Sequence, residues 1–287
     1  MTSMSRVVWR CGDRELVCGE RTHVMGVLNV TPDSFSDGGR FFDPDAAAER
    51  GIAMAQEGAD ILDVGGESTR PGADDVPAQD ERERVVPVIK RLAAELTIPI
   101  SIDTRKPEVA AAALDAGACI VNDVTGGRDP AMFRAVAAAE AGMVLMHMRG
   151  DPSTMPELTD YDDVVREVRA YLRERMDAAV AAGVDPGRLC VDPGIGFAKT
   201  PEQSLLLLPE IETLFAFRRP VLVGPSRKSF IGHVLDADVD ERLEGTAAAV
   251  AWCASKGVHV VRVHDVLEMV RVVRVIDAIR AAGGRDA

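Results

Sequence analysis

Asp103, Asn122, Asp192 and Lys228 each stand just beyond or at the end of a short apolar run, and together they mix acceptors with donors around no obvious nucleophile. An ionised carboxylate accepts from an amino group or a ring N–H, while an amide and an ammonium donate to a ring nitrogen or carbonyl. The set therefore suits recognition of the edge of a fused heterocycle. Arg262 and His264, two apart on one strand-like run, suit a polyanion. Asn29, at the end of another run, offers a neutral oxygen to a magnesium ion that keeps its other positions for phosphate and water. No Ser-His-Asp arrangement, metal triad or Walker loop is visible. The inventory suits positioning of a substrate and departure of an anion rather than covalent catalysis.

Each residue also has a plainer reading. Asp192 closes Leu189–Val191 ahead of Pro193-Gly194 and could cap the helix that Pro201 begins. Asp103 and Asn122 could cap helices, and His147, after Met143–Met146, could be a core histidine with its bonds satisfied. In the loop after Asp192, glycines would let backbone approach a flat ligand, with Phe197 adding an aromatic face and Lys199 a cation. What separates the readings is recurrence, because the same arrangement appears at one run after another.

Those runs are His23–Leu28, Ile61–Val64, Ile100–Asp103, Cys119–Val121, Met143–Met146, Leu189–Val191, Val221–Val223 and Val258–Val263. Helical stretches separate them, among them Asp45–Glu57, DERERVVPVIKRLAAEL (80–96), Tyr161–Ala182 as the longest, Arg242–Ser255 and Leu267–Ala281. Continuous apolar strands alternating with helices mean a parallel sheet buried on both faces, so the fold class is α/β, a (β/α)8 TIM barrel over residues 1–287 as a single domain. A doubly wound open sheet is the competing architecture, but the glycine fingerprint expected after its first strand is absent. In a barrel every strand end reaches one rim, where Asn29, the Glu67–Gly72 loop, Asp103, Asn122, His147, Asp192, Lys228, Arg262 and His264 would converge. Ahead of it, VVWRCGDRELVC (7–18) alternates around Gly12-Asp13 and reads as an N-terminal β-hairpin able to close the barrel's bottom.

The chain has 287 residues with 33 basic and 46 acidic side chains, a net charge of −13, which argues against nucleic acid or an anionic membrane as a partner. No stretch reaches bilayer-spanning length, so a soluble, cytoplasmic protein is expected. Five cysteines stand singly without CxxC spacing and read as buried free thiols in a reducing compartment.

The motifs MGVLNVTPDSFSDGG (25–39), GGESTRPG (65–72), SIDT (101–104), NDV (122–124), DPGIGFAKT (192–200), GPSRKSFIG (224–232) and VRVHD (261–265) resemble the dihydropteroate synthase family over essentially the whole chain. The resemblance implies a magnesium-dependent transferase that joins 6-hydroxymethyl-7,8-dihydropterin pyrophosphate to 4-aminobenzoate and releases pyrophosphate. Carried onto matching positions, it implies that Asp103, Asn122, Asp192, Lys228 and Met146 hold the pterin. Asn29, Arg70, Arg262 and His264 would bind pyrophosphate, with the magnesium on Asn29. Phe35, Thr69, Arg70, Pro71, Phe197, Lys228 and Ser229 would shape the aminobenzoate pocket, and Lys228, Arg262, His264 and Asp103 would carry catalysis. The loops 29–39 and 65–77 would be poorly ordered lids in the empty enzyme. A homodimer is also implied, with Ala247–Ala254 and the last helix as candidate surfaces, although core packing explains both equally well. Two rivals are a pterin-binding methyltransferase, which has no pyrophosphate to bind, and a non-catalytic paralogue, expected to have lost residues that are present here. Sulfonamides mimic aminobenzoate, and loop conformation decides whether such a pocket accepts them.

Overall fold

Eight short strands, none longer than the seven residues of His23–Asn29, run parallel and side by side. In the computed structural model, residues 6–31, 43–68, 72–73 and 75–283 are described. An antiparallel hairpin, β1 (Val7–Cys11) and β2 (Arg14–Cys18), comes first. The barrel strands follow as β3 (His23–Asn29), β4 (Ile61–Gly65), β5 (Ile100–Asp103), β6 (Ile120–Asp123), β7 (Gly142–Met146), β8 (Leu189–Asp192), β9 (Leu222–Val223) and β10 (Val260–Val263). Their order in the sheet is β8-β7-β6-β5-β4-β3-β10-β9, and a parallel bridge between Val191 and Val221 brings the two ends together. The result is the expected barrel.

The crossovers are α1 (Pro44–Glu57), α2 (Ala78–Glu95), α3 (Pro107–Asp115), α4 (Pro130–Ala138), α5 (Val164–Ala181), α6 (Pro201–Leu207), α7 (Ser229–Leu235) and α8 (Leu243–Lys256), with α9 (Val266–Gly283) last. Proline opens α1, α3, α4 and α6, where its missing N–H leaves no bond unmade. Two expectations shift. Helix α5 starts at Val164 rather than Tyr161, because the Asp163 carboxylate accepts from the Arg166 N–H and fixes the N-terminus there. The leucine-rich stretch after Thr200 divides into α6 and a 3-10 segment, Ile211–Phe217.

Period-two alternation decides what faces the barrel axis. Val24, Leu62, Ile102, Val121, Met143, Val191, Val223 and Val261 point outward into the layer shared with the helices. Met25, Ile61, Ile120, Val144, Cys190, Leu222 and Val260 point inward and pack with Trp9, Cys11 and Cys18 of the hairpin. Trp9 is fully buried and donates its Nε1–H to the Arg188 carbonyl at 2.8 Å. The hairpin is thus a plug in the barrel floor. Two residues further up, β4, β6, β7, β8 and β10 present Asp63, Asn122, Met146, Asp192 and Arg262.

All five cysteines are free. Ala249, Val250, Cys253 and Ala254 of α8 are buried, whereas Trp252 of α8 and Val275 and Ile279 of α9 are exposed. Among the described residues no helix is long and apolar enough to cross a membrane.

Candidate active site

Asp63, Asn122, Arg262 and Asp103 form one hydrogen-bonded network. Asn122 donates from Nδ2 to Asp63 Oδ2 at 2.9 Å, and Arg262 donates from Nε to the same oxygen at 2.6 Å and from Nη2 to Asp103 Oδ2 at 2.6 Å. A carboxylate only accepts, so the bond to Asp63 fixes which end of the Asn122 amide faces it. Asp63 Oδ1 and Asp103 Oδ1 are buried and have no hydrogen-bond partner. Unmade bonds on buried carboxylates are costly, and at the mouth of a barrel they are acceptors waiting for donors. Burial, with Asp63, Glu81 and Asp123 nearby, raises the Asp103 carboxyl above its ordinary range, while the Arg262 guanidinium opposes that rise.

Asp63 was not singled out from sequence. Its signal was a charge inside the otherwise apolar run ILDV, which an inward register turns into a site residue. Arg262, grouped by type with the anion-binding residues, also bonds the carboxylates of Asp63 and Asp103.

Asp192 is buried and accepts from the Gly194 N–H at 2.7 Å through Oδ1. It does not cap α6, whose cap is Thr200 in a reciprocal box with Gln203. Lys106 and Asp129 stand at the starts of α3 and α4, so Asp103 and Asn122 are not caps either. Burial lifts the Asp192 carboxyl to about 6, against the bond from Gly194 and the charges of Lys228, Lys199 and Arg262. Register places Met146 beside Asp192, and Met146 packs with Phe197, Val124 and Met148. The Lys228 ammonium lies 3.9 Å from the centre of the Phe197 ring. Ser229 follows at the exposed start of α7.

The expectation for Lys199 is corrected. Its ammonium is buried and bonds His147 Nδ1, the Gly194 carbonyl and the Phe197 carbonyl, each at 2.9 Å, so it offers no cation to a ligand and ties its own loop down instead. Burial holds it down at about 7. His147, also buried, is the partner in that tie, as the plainer reading had it. The loop glycines make room for the protein itself. A Cβ on Gly194 would lie 2.0 Å from the His147 carbonyl oxygen, and one on Gly196 would lie 3.1 Å from Lys228 Cδ.

At the rim Asn29 is half-buried and pairs in register with Gly65, which pairs with Asp103. His264, past the end of β10, bonds Ser226 Oγ through Nδ1 at 2.9 Å. Burial and the cations of Arg262, Arg227 and Lys228 hold its imidazole down at about 3, so it is neutral at pH 7. The second loop is tied at its base: Glu67 accepts from the Val76 N–H at 2.9 Å and pairs with Lys106 at 2.9 Å. Phe35, Thr69, Arg70 and Pro71 lie outside the described residues.

A parallel barrel with a ring of acceptors and donors over an apolar floor defines a binder of flat, polar-edged heterocycles, and the family described as Pterin binding enzyme matches residues 25–264. A dihydropteroate synthase of Mycobacterium leprae is 52% identical over 268 residues, covering 91% of this chain and 94% of its own. Among solved structures, Xanthomonas albilineans dihydropteroate synthase with 4-aminobenzoic acid superposes with a TM-score of 0.90 at 45% identity, over 96% of this chain and 99% of that one. The Yersinia pestis dihydropteroate synthase in a sulfonamide drug complex has a TM-score of 0.90 at 38% identity, over 96% of this chain and all of that one. The chain belongs to the dihydropteroate synthase family. Dihydropteroate synthase function comes with that membership, and neither the methyltransferase nor the non-catalytic paralogue is favoured.

Proposed function

We propose that the polar layer of the barrel binds the pterin of 6-hydroxymethyl-7,8-dihydropterin pyrophosphate by its edge, and that the rim binds the pyrophosphate. The observation that carries this reading is the orphaned pair of acceptors, Asp63 Oδ1 and Asp103 Oδ1, beside Asn122 and Asp192. Asp192 accepts from the amino group and ring N–H, Asn122 offers its remaining donor and its carbonyl oxygen, and Lys228 donates to ring nitrogen or carbonyl. Phe197, Lys228 and Ser229 form one wall for 4-aminobenzoate, and Phe35, Thr69, Arg70 and Pro71 are assigned to the rest of that pocket.

In the reaction, the C–O bond between the exocyclic methylene and the pyrophosphate breaks with its electron pair going to oxygen. The aniline nitrogen then forms the C–N bond and loses a proton. A weakly basic aniline needs no strong general base, so the protein's work is to hold the pterin and to meet the departing charge with Arg262, Arg70 and the His264 N–H. Asn29 fits a magnesium ion. It is a neutral oxygen donor at a strand end, and no group of three or more His, Cys, Asp or Glu forms a metal cage among the described residues, which suits a cation held mainly by phosphate oxygens and water. When bound, that ion supplies positive charge to the leaving oxygens.

Free cysteines support a reducing, cytoplasmic setting. The exposed Trp252, Val275 and Ile279 on α8 and α9 support a homodimer, to be checked by light scattering. A steady-state assay with both substrates, with a sulfonamide as competitor against 4-aminobenzoate, tests the activity. Absence of product with both substrates and magnesium present would overturn it.

A further inference from the structure

Ser226 lies in the loop between β9 and α7, is 5% exposed, and bonds His264 twice. The backbone N–H of His264 donates to Ser226 Oγ at 3.2 Å, and the ring nitrogen Nδ1 lies 2.9 Å from the same oxygen. A serine hydroxyl has one proton to give and lone pairs to receive with. With the backbone N–H already received, a proton on Nδ1 would make the hydroxyl accept twice and leave its own buried proton without a partner. A bare Nδ1 takes that proton and satisfies both groups. The remaining ring proton then belongs on Nε2.

The loop is held in place by bonds within the protein. The Arg227 N–H donates to Thr246 Oγ1 at 3.0 Å, and the Arg227 side chain donates to both oxygens of Asp265, at 3.1 and 2.6 Å. Arg242 bonds the Arg227 carbonyl at 3.1 Å. These ties lock the residues flanking Ser226 and His264 to each other and to α8. The Ser226 hydroxyl is thereby kept within reach of His264 Nδ1.

We propose that Ser226 is a positioning residue that sets His264 in the Nε2–H tautomer, so that the ring gives a neutral hydrogen bond to an oxygen of the departing diphosphate. The proposal rests on the assignment of His264 to that anion. Burial first, and then the cations of Arg262, Arg227 and Lys228, keep the ring uncharged against the carboxylate of Asp265. A fixed neutral donor gains strength as charge develops on the leaving oxygen and needs no reorganisation when it does, whereas an untethered ring would present a bare nitrogen part of the time.

The test is nitrogen NMR on histidine-labelled enzyme, with His264 assigned from the His264→Gln spectrum. The free wild-type enzyme should show Nε2 protonated and Nδ1 bare, unchanged between about pH 6 and 8. Ser226→Ala should show mixed tautomers and a kcat lowered about tenfold with little change in the KM for 4-aminobenzoate, and Ser226→Thr should restore both. A protonated Nδ1 in the wild type, or a Ser226→Ala enzyme with one tautomer and full kcat, overturns the proposal. The wild-type spectrum decides the tautomer even where Ser226→Ala does not fold. Magnesium pyrophosphate should shift the Nε2 signal. If the tautomer is as stated but that signal ignores the anion, the assignment of the anion site has failed, and with it the role given to Ser226.

Discussion

Arg262 Nε lies 2.6 Å from Asp63 Oδ2, a bond across 199 residues of sequence that joins the last barrel strand to the second. Through the same guanidinium Asp103 is joined as well, at 2.6 Å. The arginine expected to meet an anion therefore also neutralises two buried carboxylates. A buried carboxylate stripped of its partner is strongly destabilising, so Asp63, Asp103, Asn122 and Arg262 should respond to substitution as a unit.

Asp63→Asn should accordingly weaken pterin binding by tenfold or more, because it removes the charge that orients Asn122 and Arg262 together. Calorimetric titration with a pterin measures this. Wild-type affinity in a folded variant would remove Asp63 from the site.

Arg262→Ala and His264→Ala should differ. Both weaken inhibition by pyrophosphate, but only loss of Arg262 leaves Asp63 and Asp103 without their cation, so it alone should also weaken a free pterin and lower Tm. Product-inhibition constants for each ligand and thermal unfolding report the split. Equal losses of pterin and pyrophosphate affinity in His264→Ala would dissolve it.

The barrel was legible because buried parallel strands must be apolar on both faces, which leaves short runs separated by amphipathic helices. The rim was legible for the same reason, since each polar strand end interrupts the pattern. Asp63 was overlooked because one acid inside ILDV costs the run little of its apolar character, and only the inward register gives it meaning. Lys199 was misjudged because sequence shows a cation near glycines and not the three acceptors that enclose it. The plug was visible as a hairpin, but that Trp9 would meet inward residues of most of the strands is a matter of three-dimensional closure.

Trp9→Ala should cost about 3–5 kcal/mol of stability, since a large side chain is removed from a fully enclosed site between the hairpin and the barrel floor. Denaturant unfolding measures it, and kcat at low temperature should change little because Asp63, Asn122, Asp192 and Arg262 lie two residues further up their strands. A loss below about 1 kcal/mol would mean that the hairpin is not part of the core.

Asp192 sets a pH dependence with a definite sign. Its carboxyl is raised to about 6 in the folded protein, so the anion that accepts pterin N–H groups is lost as pH falls through 6. Pterin affinity should fall towards tenfold per pH unit below that point, and Asp192→Asn should abolish binding at every pH. Stability runs the other way. A carboxyl raised above its unfolded value opposes folding when ionised, so the cost is fully present above about 6 and is relieved as pH drops towards the unfolded value near 4. Asp192→Asn should therefore raise stability at pH 7.5 by about 2 kcal/mol while binding is lost. Titrations between pH 5 and 8 with parallel unfolding curves test both halves, and a pH-independent affinity would contradict the assignment.

The order of binding follows from Lys228. Its ammonium covers the face of Phe197 at 3.9 Å, and Phe197 is assigned to the aminobenzoate pocket while Lys228 is assigned to both pockets. The cation thus sits on the surface that the second substrate is to use. A pterin that draws the ammonium to its ring edge uncovers that face. Calorimetry with 4-aminobenzoate alone should therefore show almost no binding, and a pterin with magnesium pyrophosphate should restore it. The gain in affinity must be reciprocal, because a coupling free energy between two sites is the same from either side, so saturating 4-aminobenzoate should tighten the pterin by the same factor. Tight binding of 4-aminobenzoate to the bare enzyme, or a pterin affinity indifferent to it, would rule out this order.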